Sequence, residues 1–222
     1  MTIEELARKC NVSRTTVLRF TKKLSLKGFG EFKVHLRMEN DDKKQDTSKA
    51  VKVCLAYEEM MRDMVQQDFK EISKLIYQAK RIFVYGTGMV QKIVAKEFKR
   101  LFYFTDKHFY DFSGMTEYET VVKYVDSDDL VLIISVSGEA DSTIDFAKKV
   151  RIKGTPIISI TKQKKNPLAE ISNYNLYIST TIVEQNMYKG RYESMTSYYI
   201  LAEMLFLRYL EYLEERSQSD ES

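Results

Sequence analysis

The 222-residue sequence predicts an α/β protein: a small helical module joined to a five-stranded parallel sheet with helices on both faces. Three observations carry that expectation. From residue 82 onward, short runs rich in β-branched and aromatic residues alternate with stretches of helical period. Two prolines and eight glycines leave few breaks, so the elements should be long. Residues 40–49 (NDDKKQDTSK) carry no apolar side chain and mark a linker between bodies of different charge.

Taken in order, residues 2–36 read as short helices. Beyond the linker, apolar residues at 50, 53, 54, 57, 60, 61 and 64 fit an amphipathic helix. Val65, Phe69, Ile72, Leu75, Ile76 and Ala79 continue the period as a second helix from about Asp68. Ile82 to Tyr85 is a strand ended by Gly86, and helical period returns from Val90 to Phe102. Phe109 to Phe112 is the second strand, followed by a helix around Glu117 to Val125. Leu130 to Val136, apolar on both faces, is a strand buried at the middle of a covered sheet. Ile144, Phe146, Ala147 and Val150 mark the next helix. Pro156 to Thr161 and Tyr174 to Ser179 are strands four and five, and one long helix from Tyr192 to Arg216 closes the chain. The longest apolar run, Leu130 to Ile134, falls far short of the ~20 residues of a spanning helix. No apolar leader follows Met1. Two cysteines, Cys10 and Cys54, without paired spacing argue against a disulfide scaffold or zinc site and for a cytoplasmic location.

The net charge of +3 hides an asymmetry. Between Arg8 and Arg37 nine basic residues face one acidic residue, Glu31. A basic module on a neutral body points to a polyanion as partner. Leu6, Ala7 and Cys10 share one face of a first helix, and Val17, Phe20 and Leu24 share one face of a second, with Ser13 as its N-cap. Between them Asn11 tolerates the left-handed backbone of a tight turn, and Val12 is placed to plug the gap beneath it. This resembles the helix-turn-helix signature. Arg14, Thr15, Thr16, Arg19, Lys22 and Lys23 are then the DNA-binding candidates, the first of them toward base edges and the later ones toward phosphates. A solvated basic hairpin would share the charge but not the turn and the apolar spacing. Helix-turn-helix domains carry a further helix ahead of this one. The chain therefore reads as N-terminally shortened, with Leu6, Val17 and Phe20 partly covered.

Two strand–helix junctions concentrate glycine and hydroxyl groups. Gly86-Thr87-Gly88 follows the first strand and can seat a phosphate at a helix N-terminus. A dinucleotide fingerprint would need a third glycine where Gln91 stands, so a tight strand–helix turn explains the pair equally well. After the third strand come Ser135, Ser137, Gly138 and Glu139, then Ser142 and Thr143 at the start of a helix. In an open parallel sheet, ligands sit beyond the carboxyl ends of strands at the switch point of strand order. Junctions rich in Gly, Ser and Thr suit a phosphorylated polyol, while the same residues also serve as ligand-free N-caps.

At these residues the chain resembles a known family. Ile134 to Glu139 (Ile-Ser-x-Ser-Gly-Glu) with Asp141 to Thr143 looks like the sugar-isomerase (SIS) domain, a flavodoxin-like five-stranded sheet that binds phosphosugars. Gly-x-Gly after strand one, Ile158 to Thr161, and Asn166 to Ala169 fit it. Together with Val12 to Phe20 and Lys27-Gly28-Phe29, nearly the whole chain is similar to RpiR-type transcriptional regulators, which pair a helix-turn-helix with a SIS sensor. The resemblance implies ligand contacts through Gly86, Thr87, Gly88, Ser135, Ser137, Gly138, Glu139 and Thr143. Two positions depart from the pattern, Val90 and Ala140, where the family has Ser and Thr. Each loses a hydroxyl, and a hydrogen bond to a charged group is worth roughly 1.5–3 kcal/mol.

The expected function is a DNA-binding regulator of carbohydrate metabolism with a phosphosugar effector, no cofactor and no metal. The alternatives are a SIS-type isomerase and a regulator with a degenerate pocket. An isomerase needs a placed base. His35 lies in the basic module, and His108 reads as a packing or surface residue. Glu139, Glu184 and Glu193 have no partner that spacing places beside them, the last two reading as solvated. No Walker A lysine, HExxH or Ser-His-Asp spacing occurs. The expected division is a DNA-binding module over 1–39, linker and connecting helix over 40–66, the SIS domain over 67–216 and a disordered tail over 217–222. The last helix, with Tyr198, Tyr199, Leu201, Ala202, Leu205, Phe206, Tyr209 and Leu213, carries a stripe wide enough to suggest a homodimer or a dimer of dimers.

Overall fold

The computed structural model describes residues 2–24, 26, 28–33, 48–162, 165–185 and 190–220. The chain forms two compact units that divide between Lys52 and Val53. His35, Arg37, Lys27 and most of the expected linker, residues 40–47, lie outside the described residues.

In the first unit, α1 (Ile3–Lys9) is opened by a capping box in which Thr2 accepts from the Glu5 N–H and Glu5 accepts from the Thr2 N–H. Asn11 sits at φ +53°, the left-handed turn expected of it. Ser13 caps α2 (Arg14–Lys23), accepting from Thr16 N at 3.1 Å. Residues 29–33 are helical and belong to α3. Ile3, Ala7 and Val17 make a small core with Leu6 and Phe29 against it. Val12 does not plug the turn, because it is 41% exposed. Asn11 redirects the chain so tightly that the next side chain projects outward, where it lines an open apolar groove with Leu6, Cys10, Val17, Phe20 and Phe32. Phe20 and Leu24 are likewise exposed, so the face expected to be partly covered is so.

The second unit is a three-layer sandwich. Its elements are α4 (Lys49–Gln66, most of which lies in this unit), α5 (Lys70–Gln78), β1 (Ile82–Gly86), α6 (Met89–Phe102), β2 (Phe109–Phe112), α7 (Met115–Tyr124), β3 (Leu130–Ile134), α8 (Asp141–Ile152), β4 (Ile157–Lys162), α9 (Pro167–Ile171), β5 (Tyr174–Ile178), β6 (Thr181–Gln185), β7 (Gly190–Ser194) and α10 (Thr196–Asp220). Five strands pair in parallel in the order β2-β1-β3-β4-β5, with Gly86 opposite Ile134 and Ile134 opposite Ile160. Alternation sends Leu130, Leu132 and Ile134 to the face covered by α4, α5, α6 and α10, and Val131 and Ile133 to the face covered by α7, α8 and α9. At the opposite end of the sheet Arg81 forks onto the buried Asp129 at 2.8 and 2.6 Å.

The last forty residues depart from expectation. Tyr192 does not begin a helix. It lies in β7, paired antiparallel with Val183 of β6 in a two-stranded ribbon that the periodicity did not reveal. The spacing of Tyr192, Met195 and Tyr199 mimics a helical face, but Tyr192 is exposed and the helix starts at Thr196. At its other end α10 runs to Asp220, so the segment expected to be a disordered tail is helical at least that far. Nothing in the polar sequence breaks the helix, and the Ser217 and Ser219 hydroxyls donate to carbonyls four residues back. Tyr198, Leu201, Ala202, Leu205 and Tyr209 are fully buried in the chain's own core, while Tyr199, Phe206 and Leu213 of the same stripe are partly buried.

Candidate functional site

In the basic unit, Arg14, Thr15, Thr16, Arg19, Lys22 and Lys23 are all exposed on α2. Thr16 is partly committed, its hydroxyl 2.8 Å from the Ser13 hydroxyl, and Arg14 pairs with Glu4 of α1 at 3.2 Å. Both Arg14 and Glu4 are more than half exposed, so that pair is weak and yields readily to a phosphate or a base edge.

In the sheet unit, the order β2-β1-β3-β4-β5 places the reversal between β1 and β3. The turns after these strands are neighbours, tied by Thr87 N donating to Ile134 O at 3.0 Å. From them α6 and α8 leave toward opposite faces of the sheet. Both helices start without a side-chain cap, at Gly88 and Ala140, so their first N–H groups have no competing hydroxyl.

The glycines are there for contact. A Cβ at Gly86 would stand 2.4–2.5 Å from backbone atoms of Gln91 and Lys92, so this glycine lets the first turn of α6 lie directly on β1. A Cβ at Gly88 would meet Gln91 Oε1 at 2.3 Å. Gly138 has φ +67°, and a Cβ there would stand 2.0 Å from Asn166 Oδ1. Asn166 is buried, caps α9 through Ala169 N at 2.9 Å and donates to Thr161 at 3.0 Å, which fixes the floor under the second turn.

The hydroxyls divide into two kinds. Ser135 is buried and its Oγ accepts from Gly138 N at 3.1 Å, while its carbonyl accepts from Tyr198 Oη at 3.0 Å. Thr143 is buried in the first turn of α8. These two residues hold the turn from inside. Ser137 and Thr87 are half-buried at the rim, and the Ser137 Oγ accepts from Glu139 N at 3.3 Å. Glu139 is exposed. Val90 is half-buried beside Gln91, and Ala140 occupies the N-cap of α8, so a threonine there would cap the helix itself as readily as reach a ligand.

Sequence reasoning missed two residues. Gln91 is buried, and its amide lies beside the Tyr198 hydroxyl, although no hydrogen bond of good geometry forms from Nε2 among the described residues. Burial raises the Tyr198 phenol far above its ordinary value, so it stays a donor to Ser135 at any physiological pH. The signal for Gln91 was a polar residue at a core-facing position of a helix. Glu193 is not solvated as expected; it is half-buried and paired with Lys162 at the end of β4. Glu184 is exposed and sits across the ribbon from Arg191 at 3.7 Å, and His108 is exposed just before β2.

Comparison with known proteins agrees with this geometry. Residues 75–208 match the SIS domain and residues 1–43 the helix-turn-helix domain of the rpiR family. The HTH-type transcriptional regulator GlvR of Bacillus subtilis is 32% identical over 219 residues, which span 99% of this chain and 86% of GlvR. The NanR protein of Vibrio vulnificus, solved in complex with ManNAc-6P, shares the fold with a TM-score of 0.59 at 20% identity over 100% of this chain and 82% of NanR. The sugar isomerase domain of an RpiR transcription factor from Sphaerobacter thermophilus does so with a TM-score of 0.62 at 17% identity, over 77% of this chain and 98% of that one.

Proposed function

This chain belongs to the RpiR family of helix-turn-helix transcriptional regulators with a SIS domain, and we propose that it binds operator DNA through α2 and a phosphosugar at the β1–β3 switch point. One observation carries the effector half of this reading. Two helix N-termini without side-chain caps belong to adjacent turns, an arrangement suited to phosphate and hydroxyl oxygens, and the buried Gln91 amide lies in the first turn of one of them. NanR, a chain of the same fold, was solved with ManNAc-6P, which supports a phosphosugar as the ligand class.

Each predicted ligand residue then has a part. Gly86, Gly88 and Gly138 allow close backbone approach, and Thr87 and Ser137 offer rim hydroxyls. Ser135 and Thr143 keep the turn in shape, and Glu139 accepts from sugar hydroxyls. Gln91 joins them as a buried donor. On DNA, Arg14, Thr15 and Thr16 read base edges near the N-terminus of α2, while Arg19, Lys22 and Lys23 meet phosphates.

We read the sheet unit as a sensor and not an isomerase, since it is joined to a helix-turn-helix module and the relative that matches nearly the whole chain is a transcriptional regulator. We place it in the cytoplasm as a homodimer or a dimer of dimers, since operator DNA is usually read by two-fold assemblies.

A thermal-shift screen of phosphorylated sugars and amino sugars tests the effector assignment. One of them raises the melting temperature, and Ser137→Ala weakens that ligand about tenfold, the worth of one hydrogen bond to a charged group. If no sugar phosphate moves the transition, the assignment is wrong. For DNA, duplexes selected from a random pool by the wild-type chain should lose gel-shift affinity with Arg14→Ala and with Arg19→Ala, while the circular dichroism of both variants stays wild-type. Unchanged affinity in both would remove α2 as the reading element.

A further inference from the structure

The proposed effector site has a charge problem. Within residues 86–91 and 135–143 the only formal charges are Glu139 and Asp141, both acidic, so an anionic group seated on these turns finds helix dipoles but no cation. Lys162, the last residue of β4, supplies one. Its backbone N–H donates to Val136 O at 3.2 Å, between Ser135 and Ser137. By alternation with Ile158 and Ile160 it faces the layer that holds α6 and α10. Its ammonium is spoken for, because Glu193 of β7 pairs with it.

Glu193 is itself near the turn. Its charge acts on the hydroxyl of Tyr198, the group that donates to Ser135 O. Burial raises the Glu193 carboxyl, but hydrogen bonds from Lys162 and Thr180 more than offset it and leave the group below its ordinary value. Glu193 is therefore ionised at neutral pH, and the two side chains of the pair are 29% and 25% exposed. The next residue, Ser194, shares a hydrogen bond with Tyr57 Oη of α4.

We propose that Lys162 is the cation of the effector site and that Glu193 stands in for the effector's anionic group until it arrives. A phosphate brings more charge and more acceptor oxygens than one carboxylate, so it takes Lys162 and displaces Glu193. Displacement unties β7 at Glu193, beside the Ser194–Tyr57 contact that holds α4. This inference rests on the phosphosugar reading of the same site and adds its charged anchor and its internal competitor.

Isothermal titration of the purified full chain with inorganic phosphate tests it, using wild type, Lys162→Gln, Glu193→Gln, Glu193→Asp and Ser137→Ala. Lys162→Gln should weaken phosphate at least about tenfold, and Glu193→Gln should tighten it by a similar factor. Glu193→Asp, one methylene shorter, should tighten it less, and it keeps the test alive if the glutamine variant fails to fold. Amide exchange of Gly190–Ser194 should rise when phosphate is added to wild type and be raised beforehand in Glu193→Gln. Weakened or unchanged binding in both Glu193 variants overturns the competitor. Binding that Ser137→Ala weakens but Lys162→Gln leaves intact overturns the anchor while sparing the effector site. Absence of binding by phosphate and by every sugar phosphate overturns both.

Discussion

Gly138 shows how much one residue decides. Its φ of +67° excludes an ordinary side chain, and the space a Cβ would take already belongs to Asn166. Gly138→Ala should therefore destabilise the fold by about 1–3 kcal/mol, from backbone strain and displacement of the Asn166 cap. Chemical denaturation measures this, and a loss under 0.5 kcal/mol, the ordinary scatter of about that size for surface changes, would mean the turn relaxes freely. Residues of this kind were legible in the sequence because backbone geometry is local. Asn11 and Ser13 could be placed from residue type alone, and both are where type puts them. Gln91 and Glu193 were not legible, since what makes each unusual is a neighbour more than thirty residues away: Tyr198 for Gln91, and Lys162 at the end of β4 for Glu193.

Among the elements, the five parallel strands were readable because a strand covered on both faces is a short, nearly continuous apolar run, as in Leu130–Ile134. The β6–β7 ribbon was not. β7 is exposed at Gly190, Arg191 and Tyr192 in succession, and Ile182 of β6 is exposed too, so no alternating burial pattern announces the ribbon. The start of α8 offers a direct test at this scale. Ala140 holds the N-cap in an extended backbone but offers no side-chain oxygen. Ala140→Thr should stabilise the unit by about 0.5–2 kcal/mol, seen as a raised melting temperature without ligand. A fall in stability would show that the α8 N–H groups are already satisfied within the turn.

At the scale of the whole molecule, a change of charge and an apolar-free stretch pointed to two bodies, and the described cores are separate. Ile3, Ala7 and Val17 belong to the first unit, while the two large clusters lie entirely beyond Val53. A fragment from Lys49 onward should unfold in one cooperative transition and keep the full chain's thermal response to phosphosugars, because every residue assigned to that site lies within it. A fragment that is molten, with no near-ultraviolet circular dichroism, would show that the sheet unit needs the first forty-eight residues to fold.

The seam between β1 and β3 has one more implication. Helices that depart from it on opposite sides belong to different strata of the sandwich, and nothing in the sheet itself stops those strata from sliding past each other by small amounts. A guest gripped by both turns becomes a rivet through them. Its arrival should be felt less as a local change of shape than as a stiffening shared by α6 and α8, far beyond the atoms it touches.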